Sequence, residues 1–481
     1  DASIKGKTGG GQWPAIEAKF GCDDGLIENP ETEKRLEDMD FKGYFTTGAK
    51  RDFSSMEFGL TQFKTKPDAG MFSGNLKVVN FLEPDIQLQL DSEFNLDFIA
   101  KFFNLTNLKD LTGSVALEMN FHDIIDLNNP EHSIEKLNES YYTRLNIRNV
   151  GFKSGNFHLP IKNLNLNAEM QGHEALIRQF SVSVGKSTVK AAGKISDLPA
   201  ILHHSNLPVK FDLSIESNLL DLAELTYSDS LKTSGINDQI RNLKINASFL
   251  SSAQALTESA YLPEGEFILH DLQGRFAQYP HALHDIKGDF FIRKNDLQIK
   301  DFSGAIDGSD WHFSGNLSRY ELFMDSALSG QAEAQFDLRS NLLRLEDLFS
   351  YAGENYVPED YRHELFKKLE LHGSTTFNVH KKTIKSIDAK LDNLSCSMLV
   401  HKSRFERFSG RMQYENEHIQ VQKFWGKIGR SDFLVDATYY TGKDPATRKR
   451  DNTFYLKSNY LDLDELLAYN PPPKTTKAEP D

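Results

Sequence analysis

Cysteine, tryptophan and long apolar runs are scarce in this 481-residue chain. It contains two cysteines and three tryptophans, against 34 phenylalanines. Cys22 and Cys396 lie too far apart in sequence to form a disulfide framework, and so few cysteines fit both a reducing cytoplasm and a bacterial envelope. No apolar stretch approaches the roughly 18 to 20 residues that a membrane-spanning helix requires. The sequence therefore predicts neither a disulfide scaffold nor a transmembrane helix.

An excess of basic charge is also missing. The formal net charge is -14, and the acidic residues are spread along the whole chain. A nucleic-acid phosphate backbone would be repelled by most of such a surface, so nucleic acid is not an expected partner. The chain is 39% hydrophobic and 26% charged, which is typical of a folded protein and excludes global disorder.

Catalytic and nucleotide-binding motifs are absent as well. The chain has no Gly-x-Ser-x-Gly elbow and no Gly-x-Gly-x-x-Gly between a strand and a helix. Gly185-Lys186-Ser187-Thr188 resembles the end of a phosphate-binding loop, but Phe180 occupies the position of the first glycine. Single carboxylates such as Asp110 and Asp388 cannot be singled out as glycosidase acids among 69 acidic residues. We therefore expect no catalytic residue and no cofactor.

The fifteen histidines do not form a metal-binding motif in the sequence. His203-His204, His281 with His284, and His312 lack a nearby cysteine or carboxylate at a recurrent ligand spacing. The segment from His281 to His284 follows Pro280 in a region of strands and turns, which favours a polar loop. We therefore predict no metal site.

An internal repeat is the dominant feature of the chain. A Ser-Asn-x-Leu-Asp-Leu pattern recurs, and its aspartate position falls at residues 97, 221, 344 and 462, which are 124, 123 and 118 residues apart. A Phe-x-Gly-x-Ile-Gly-x-Ser-Asp pattern recurs with its serine at 187, 309 and 431, both intervals being 122 residues. The copies of the first pattern are Ser92–Phe98, Ser217–Leu225, Ser340–Leu345 and Ser458–Leu466; those of the second are Phe180–Gly193, Phe302–Gly315 and Phe424–Asp432. A fixed period of this length indicates a repeat architecture of about 120 residues per unit.

The segments between these motifs alternate apolar and polar residues. A period of two is typical of strands with one apolar and one solvated face, and turn residues separate the strands at short intervals. The sequence thus predicts an all-β, elongated, repeated antiparallel sheet. The apolar positions of the alternating strands are Ile86, Leu88, Leu90, Val115, Leu117, Met119, Phe211, Leu213, Ile215, Leu297, Ile299, Phe336, Leu338, Ile419 and Val421.

The repeat also predicts a domain division and one short helix per repeat. The predicted parts are a lead segment, expected to be partial (1–39), a truncated repeat 1 (40–100), repeat 2 (101–225), repeat 3 (226–348), repeat 4 (349–467) and a Pro-rich tail expected to be disordered (468–481). The helices are expected near Pro130–Asn138, Asp229–Leu243 and Pro358–Lys368.

The recurrent serines and leucines have a structural interpretation. Ser217, Ser340 and Ser458 have no histidine partner in the pattern, so we expect each Ser-Asn pair to close a turn and cap the segment that follows. Their companion leucines are expected to be buried packing anchors, at positions Leu220, Leu343 and Leu461.

These repeated motifs in a β-rich chain resemble the C-terminal region of AsmA-like proteins. The resemblance runs from about Asp40 to Leu467 and is carried by Leu213–Leu225, Phe302–Gly315, Phe424–Asp432 and Leu456–Leu466. Arg344 departs from the aspartate of the other three copies.

The resemblance implies a bacterial envelope protein with a periplasmic β-sheet curved into an apolar groove. It further implies an N-terminal anchor in the inner membrane and a role in phospholipid transport and outer-membrane biogenesis. The fifteen apolar strand residues would then line the groove and contact phospholipid acyl chains. The chain begins at Asp1 without a signal peptide, so we expect a processed or partial chain whose anchor is missing.

Two other classes of function remain open on the residues alone. One is a structural or adhesive repeat protein whose apolar faces are entirely self-buried. The other is an enzyme whose site is assembled from distant loops, which would show one clustered set of titratable groups in a pocket.

Overall fold

The structure of the chain is a computed structural model. It describes all residues except 7–12, 68–69, 104–107, 125–141, 155–158, 203, 226, 229–232, 235–237, 260, 325–326, 349, 352–353, 356, 358–361, 363, 382, 399–400, 402, 443–451 and 469–481.

The protein is all-β. Strands account for 72% of it and helices for 9%, and 24 of the described strands belong to the main antiparallel sheet. This confirms the predicted fold class of a repeated antiparallel sheet. The chain divides into two units: unit 1 comprises residues 1–236 and 247–258, and unit 2 comprises residues 237–246 and 259–481.

Unit 1 is a meander in which each of twelve described strands pairs with the next one along the chain. All of these pairings are antiparallel. The strands are β1 (Ala2–Lys5), β2 (Ala15–Asn29), β3 (Lys34–Thr46), β4 (Glu57–Pro67), β5 (Met71–Val79), β6 (Asp85–Asn95), β7 (Leu108–Ile124), β8 (Tyr142–Ser154), β9 (Ile161–Gln171), β10 (Glu174–Val184), β11 (Ser187–Ile195) and β12 (Val209–Asp221). A separate two-residue hairpin follows, formed by β13 (Tyr227–Ser228) and β14 (Thr233–Ser234).

Strand β15 (Gln239–Ser251) is divided between the units at Asn246, and unit 2 continues with a second meander. Its further strands are β16 (Glu264–Phe276), β17 (Tyr279–Arg293), β18 (Asp296–Ile306), β19 (Ser309–Ser318), β20 (Gln331–Arg344), β21 (Ser350–Tyr351), β22 (Glu354–Asn355), β23 (Leu365–Asn378), β24 (Thr383–Ser397), β25 (Phe405–Glu415), β26 (His418–Ile428), β27 (Ser431–Tyr440) and β28 (Thr453–Lys457). Strands β21 and β22 form a small hairpin of their own, and β20 pairs with β23.

One short helix closes each repeat, but at a different place from the one predicted. Four helices begin inside the Ser-Asn-x-Leu pattern: α1 (Leu96–Phe102), α3 (Leu222–Leu225), α5 (Leu345–Leu348) and α6 (Leu463–Leu466). Two further helices, α2 (Leu198–Leu202) and α4 (Ala253–Glu258), occur once each in unit 1, and 3₁₀ turns occupy Phe53–Ser55 and Tyr320–Phe323.

The predicted helix positions were wrong where the structure describes them. Residues 239–243 of the segment Asp229–Leu243 lie in strand β15, and residues 365–368 of the segment Pro358–Lys368 lie in strand β23. The segment Pro130–Asn138 lies outside the described residues. Pro358 is only a weak signal of a helix start, and in both segments the following alternation of apolar and polar residues determines a strand instead.

The described main-sheet strands fall into four sets of six. These sets are β1–β6, β7–β12, β15–β20 and β23–β28, and each is followed by one of the four motif helices. Because β1, β2 and the start of β3 lie within residues 1–39, the strand count places this segment in the first repeat rather than before it. Whether the four repeats superpose and stack as one continuous sheet stays a prediction.

A β-bulge recurs with the same period. Asn163, Asp285 and Arg407 each adopt a left-handed backbone conformation, with φ of 51°, 55° and 56°, at intervals of 122 residues. Non-glycine residues rarely adopt positive φ, so a recurrence at this spacing indicates a conserved local geometry within the repeat. The repeat read from side-chain motifs is therefore present in the backbone too.

Among the described helices, none combines the length and hydropathy required to cross a membrane.

Candidate functional site

The strand register of unit 1 brings the predicted apolar residues onto one face of its sheet. Residues directly opposite each other in an antiparallel pair point to the same side. Leu90 lies opposite Met119, and Leu117 lies opposite Leu145. The same ladder continues through β9, β10 and β11 to β12, so that one face carries Ile86, Leu88, Leu90, Val115, Leu117, Met119, Phe211, Leu213 and Ile215.

Unit 2 has an apolar face of the same kind. Ile299 lies opposite Gly315, which in turn lies opposite Phe336. From Phe336 the ladder crosses β23, β24 and β25 and reaches Val421 on β26. One face of this sheet therefore carries Leu297, Ile299, Phe336, Leu338, Ile419 and Val421.

Most of these side chains are partly exposed to solvent. Of the fifteen, only Phe211 is buried, and the other fourteen are partly exposed. Phe211 packs in a small core with Ala200 and Val209, and its ring stacks on Phe249 with centroids 4.8 Å apart. Helix α2 contributes Ala200 to this core. Leu213 packs against the same core. Phe211 is thus fully covered by protein contacts, whereas the other fourteen residues keep part of their apolar surface exposed.

The opposite face of each unit is polar and paired. In unit 1, Arg178 donates a hydrogen bond of 2.8 Å to Glu169. In unit 2, Arg411 Nε donates to Asp388 Oδ1 at 2.7 Å, and this guanidinium, with the amide of Gln413, lowers the pKa of the Asp388 carboxyl. A carboxylate held ionised in this way keeps its face hydrated, which makes each sheet strongly two-sided.

Two depressions among the described residues have linings rich in charged residues. One in unit 1 has a volume of about 800 Å³ and is lined by Asp40, Lys64, Asp91 and Glu118 together with other residues that include Leu90 and Met119. Another in unit 2, of about 530 Å³, is lined by residues that include Asp388, Lys390 and Arg411. Neither has the lining that acyl chains require, so the predicted apolar groove stays a prediction.

Several residues of the apolar faces were not singled out from the sequence. They are Leu145, Ile147, Leu166 and Ala168 in unit 1, and Leu371, Leu391 and Met412 in unit 2. Alternation in Leu145-Asn146-Ile147 was a usable signal. The β-bulges in these strands shift the register, so alternation alone does not assign every apolar residue to a face.

The Ser-Asn pairs do not close turns as predicted in two of the three copies. Ser217 lies inside strand β12 and Ser340 inside strand β20. Both hydroxyls are buried and have no hydrogen-bond partner among the described residues. The capping residue of α6 is instead Asp462, whose side chain accepts from the N–H of Glu465 at 3.0 Å.

The buried anchors of the motif are polar rather than leucines. Leu461 is 41% exposed, and Leu220 and Leu343 are only partly buried. The prediction of a buried anchor was therefore wrong for Leu461. By contrast, the serines of the second pattern, Ser187, Ser309 and Ser431, are no more than 3% exposed.

These three serines make one recurrent contact. Each hydroxyl accepts a hydrogen bond of 2.9 Å from the backbone N–H of the residue that precedes the motif helix, namely Asp221, Arg344 and Asp462. The contact joins the start of the fifth strand in a set to the residue that precedes the motif helix, which ends the sixth strand in repeats 2 and 3 and follows it in repeat 4. It explains why the serine recurs without requiring any catalytic role.

Comparisons with known proteins provide no relative for this chain. No protein-family model, no characterised protein and no solved structure matches it.

Proposed function

We propose that the protein is a non-catalytic lipid carrier of the AsmA-like class, which binds phospholipid acyl chains on the apolar faces of its sheet. The proposal places it in the bacterial periplasm, in phospholipid transport and outer-membrane biogenesis. Its full-length form would be anchored to the inner membrane.

The observation that carries the proposal is the one-sidedness of each unit. Fifteen alternating residues predicted from the sequence lie on one face per unit, and fourteen of them are partly exposed. Exposed apolar surface that is contiguous over several strands usually marks a binding surface. The opposite faces are polar and ion-paired, so an apolar ligand has one side of each sheet to occupy.

The energetics of acyl-chain binding suit such a face. Each CH₂ group transferred from water to an apolar surface gains about 0.8 kcal/mol. Affinity then accumulates with chain length and requires no specific polar contact. The binding surface of such a carrier contains no recognisable sequence motif, which fits the absence of catalytic patterns.

The alternative, a structural repeat protein whose apolar faces are self-buried, predicts that the same residues are fully buried. A second layer packed on an apolar face would bury these side chains fully, as α2 buries Phe211. The partial exposure of Val421 and its neighbours favours the lipid carrier over this alternative.

The test uses a matched pair of substitutions on adjacent residues of β26. Val421→Glu places a carboxylate on the apolar face, which costs several kcal/mol against acyl chains. Gln420→Glu introduces the same charge on the polar face, opposite Gln413. Lipid that co-purifies with each protein is measured by native mass spectrometry and by extraction with thin-layer chromatography.

We expect the wild type and Gln420→Glu to retain phospholipid and Val421→Glu to lose it, with similar circular dichroism spectra for all three. A wild type that carries no phospholipid and is not labelled by crosslinkable lipid probes would overturn the proposal in favour of the structural repeat. Equal retention by the two variants would show that the lipid lies elsewhere.

A further inference from the structure

A cluster of one histidine and two aspartates lies in unit 2, apart from the residues that the proposed lipid-binding function uses. His281 on β17, Asp307 in the turn after β18 and Asp347 on α5 bring one nitrogen and two carboxylate oxygens within 4.8 Å of one another. Nδ1 of His281 lies 2.6 Å from Oδ2 of Asp307 and 4.0 Å from Oδ1 of Asp347. The three residues come from separate segments, so their sequence spacing gave no sign of the cluster.

A comparison of equivalent positions in the repeats shows that this cluster is specific to repeat 3 among repeats 2, 3 and 4. Shifted by one period of 122 residues, the positions of His281 and Asp307 are occupied by Ser403 and Gly429 in repeat 4. There the Ser403 hydroxyl donates to Glu465, the counterpart of Asp347, at 3.2 Å. In repeat 2 the corresponding residues are Leu159 and Gly185. Among repeats 2, 3 and 4, repeat 3 alone has a histidine and a second carboxylate at these two positions.

The second carboxylate is held in an unfavourable backbone conformation. Asp307 has φ of 46°, whereas Gly185 and Gly429 adopt φ of 56° and 58° at the same position. Glycine adopts positive φ without steric cost, while a residue with a side chain is strained there. A strained residue at a position where the other repeats have glycine points to a role for its side chain.

The carboxylate of Asp347 is buried next to the His281 ring. Its side chain is 6% exposed, and its Oδ2 accepts a 2.7 Å hydrogen bond from the Ser309 hydroxyl. Its Oδ1 faces the His281 ring, and Nε2 of that ring is buried without a hydrogen-bond partner among the described residues. Buried polar groups need partners, and a cation held between the imidazole and the two carboxylates would supply one.

The distances are close to those of a coordinated metal. Tetrahedral zinc with ligand bonds of about 2.0 to 2.1 Å keeps neighbouring ligand atoms roughly 3.3 Å apart. The two measured distances from His281 Nδ1, 2.6 and 4.0 Å, lie on either side of this value. Side-chain rotations that change each of these two distances by about 0.7 Å would bring both to the value of a tetrahedral site. Ser309 and the N–H of Ala282, which donates to Asp307 Oδ1 at 3.0 Å, already orient the two carboxylates.

We propose that His281, Asp307 and Asp347 form a binding site for a divalent transition-metal ion of the zinc type. Imidazole nitrogen and carboxylate oxygen are both zinc ligands, and three protein ligands leave a further position for water. Magnesium and calcium are disfavoured because they prefer oxygen ligands throughout. The ion ties the turn after β18 to helix α5 in repeat 3.

The experiment converts repeat 3 into repeat 4 at the two diagnostic positions. Zinc binding to chelator-treated full-length protein is measured by isothermal titration calorimetry, and cobalt is used as an optical probe of the same site. We expect the wild type to bind one equivalent that His281→Ser and Asp307→Gly each weaken at least tenfold. His312→Ala is the matched control, since the His312 ring is directed to Asp301 on the neighbouring strand, and it should bind zinc as the wild type does.

Stability separates loss of the site from loss of the fold. In chelator, Asp307→Gly should still unfold cooperatively, because Gly185 and Gly429 occupy the same left-handed backbone position in repeats 2 and 4. Zinc should raise the unfolding temperature of the wild type and not that of Asp307→Gly. Unchanged zinc stoichiometry and affinity in both repeat 4-like variants, or no zinc binding by the wild type, would overturn the proposal.

Discussion

The Ser431 hydroxyl accepts a hydrogen bond of 2.9 Å from the backbone N–H of Asp462. Ser431 is completely buried, and the contact closes the end of the last strand set next to helix α6. The equivalent contacts of Ser187 with Asp221 and of Ser309 with Arg344 have the same length. The relationship is therefore a property of the repeat and not of one copy.

Removing this acceptor should be far more costly than removing a serine of the Ser-Asn pair. Ser431→Ala leaves the partly buried N–H of Asp462 without this partner, and we expect a loss of about 1 to 3 kcal/mol in the free energy of unfolding. Ser340→Ala removes a buried hydroxyl that has no hydrogen-bond partner among the described residues, and it should be neutral or slightly stabilising. Urea denaturation of both variants checks this. Equal losses would mean that the recurrent contact is unimportant.

Gly315, the last residue of the repeat 3 copy Phe302–Gly315, is predicted to be irreplaceable for steric reasons. A Cβ at Gly315 would lie 2.2 Å from the backbone oxygen of Gln335 on the neighbouring strand. Gly315→Ala should therefore destabilise by about 1 to 3 kcal/mol, the range for overpacking. Gly308→Ala is the control, because its Cβ would have its nearest contact at 3.5 Å. Thermal unfolding that gives the two variants the same midpoint would contradict the prediction.

The packing anchors of repeat 4 should be aromatic rather than the motif leucine. Phe408 is 8% exposed and its ring lies 5.8 Å from those of Phe424 and Phe433. We expect Phe408→Ala to cost about 3 to 5 kcal/mol, and Leu461→Ala, at an exposed position, less than about 1 kcal/mol. Denaturation curves for the pair decide the order. A larger loss for Leu461→Ala would restore the leucine as the anchor.

Acid should weaken the closure of repeat 4. The backbone N–H of Tyr460 and the amide of Asn459 donate to Asp432 and lower the pKa of its carboxyl below the usual value of 3.8. A pKa that is lower in the folded state contributes stability above the unfolded pKa, and this contribution is lost as the pH falls through the folded value. The stability gap between the wild type and Asp432→Asn should therefore be present at pH 7 and shrink below about pH 4. Urea unfolding at pH 7 and pH 3 measures the gap, and a gap of constant size would exclude an ionised Asp432 as its source.

The sequence predicted the period, the strands and the apolar faces because each follows from a local pattern. Alternation placed Leu88 and Val421 on their faces without knowledge of the strand pairing. The roles of the motif residues were not predictable in the same way, since they depend on contacts across strands. Ser217 looked like a capping residue, but its place in β12 is determined by pairing with β11, and the capping interaction comes from an aspartate further along. The cluster of His281 with two aspartates was invisible for the same reason, because its members are 26 and 40 residues apart.

The sets of six strands have a consequence for direction. In an antiparallel meander each strand reverses the chain, so an even number of strands returns it to the end of the sheet from which it started. Strands β6 and β12 therefore run in the same direction, and helices α1 and α3 follow the strand ends on the same side of unit 1. Helices α5 and α6 share one side of unit 2 in the same way. Duplication of a whole repeat keeps each new helix on the same side, whereas gain or loss of a single strand would move every later helix to the opposite strand ends. A chain that grows by such repeats must therefore keep an even number of strands in each, while the length of a strand is free to vary.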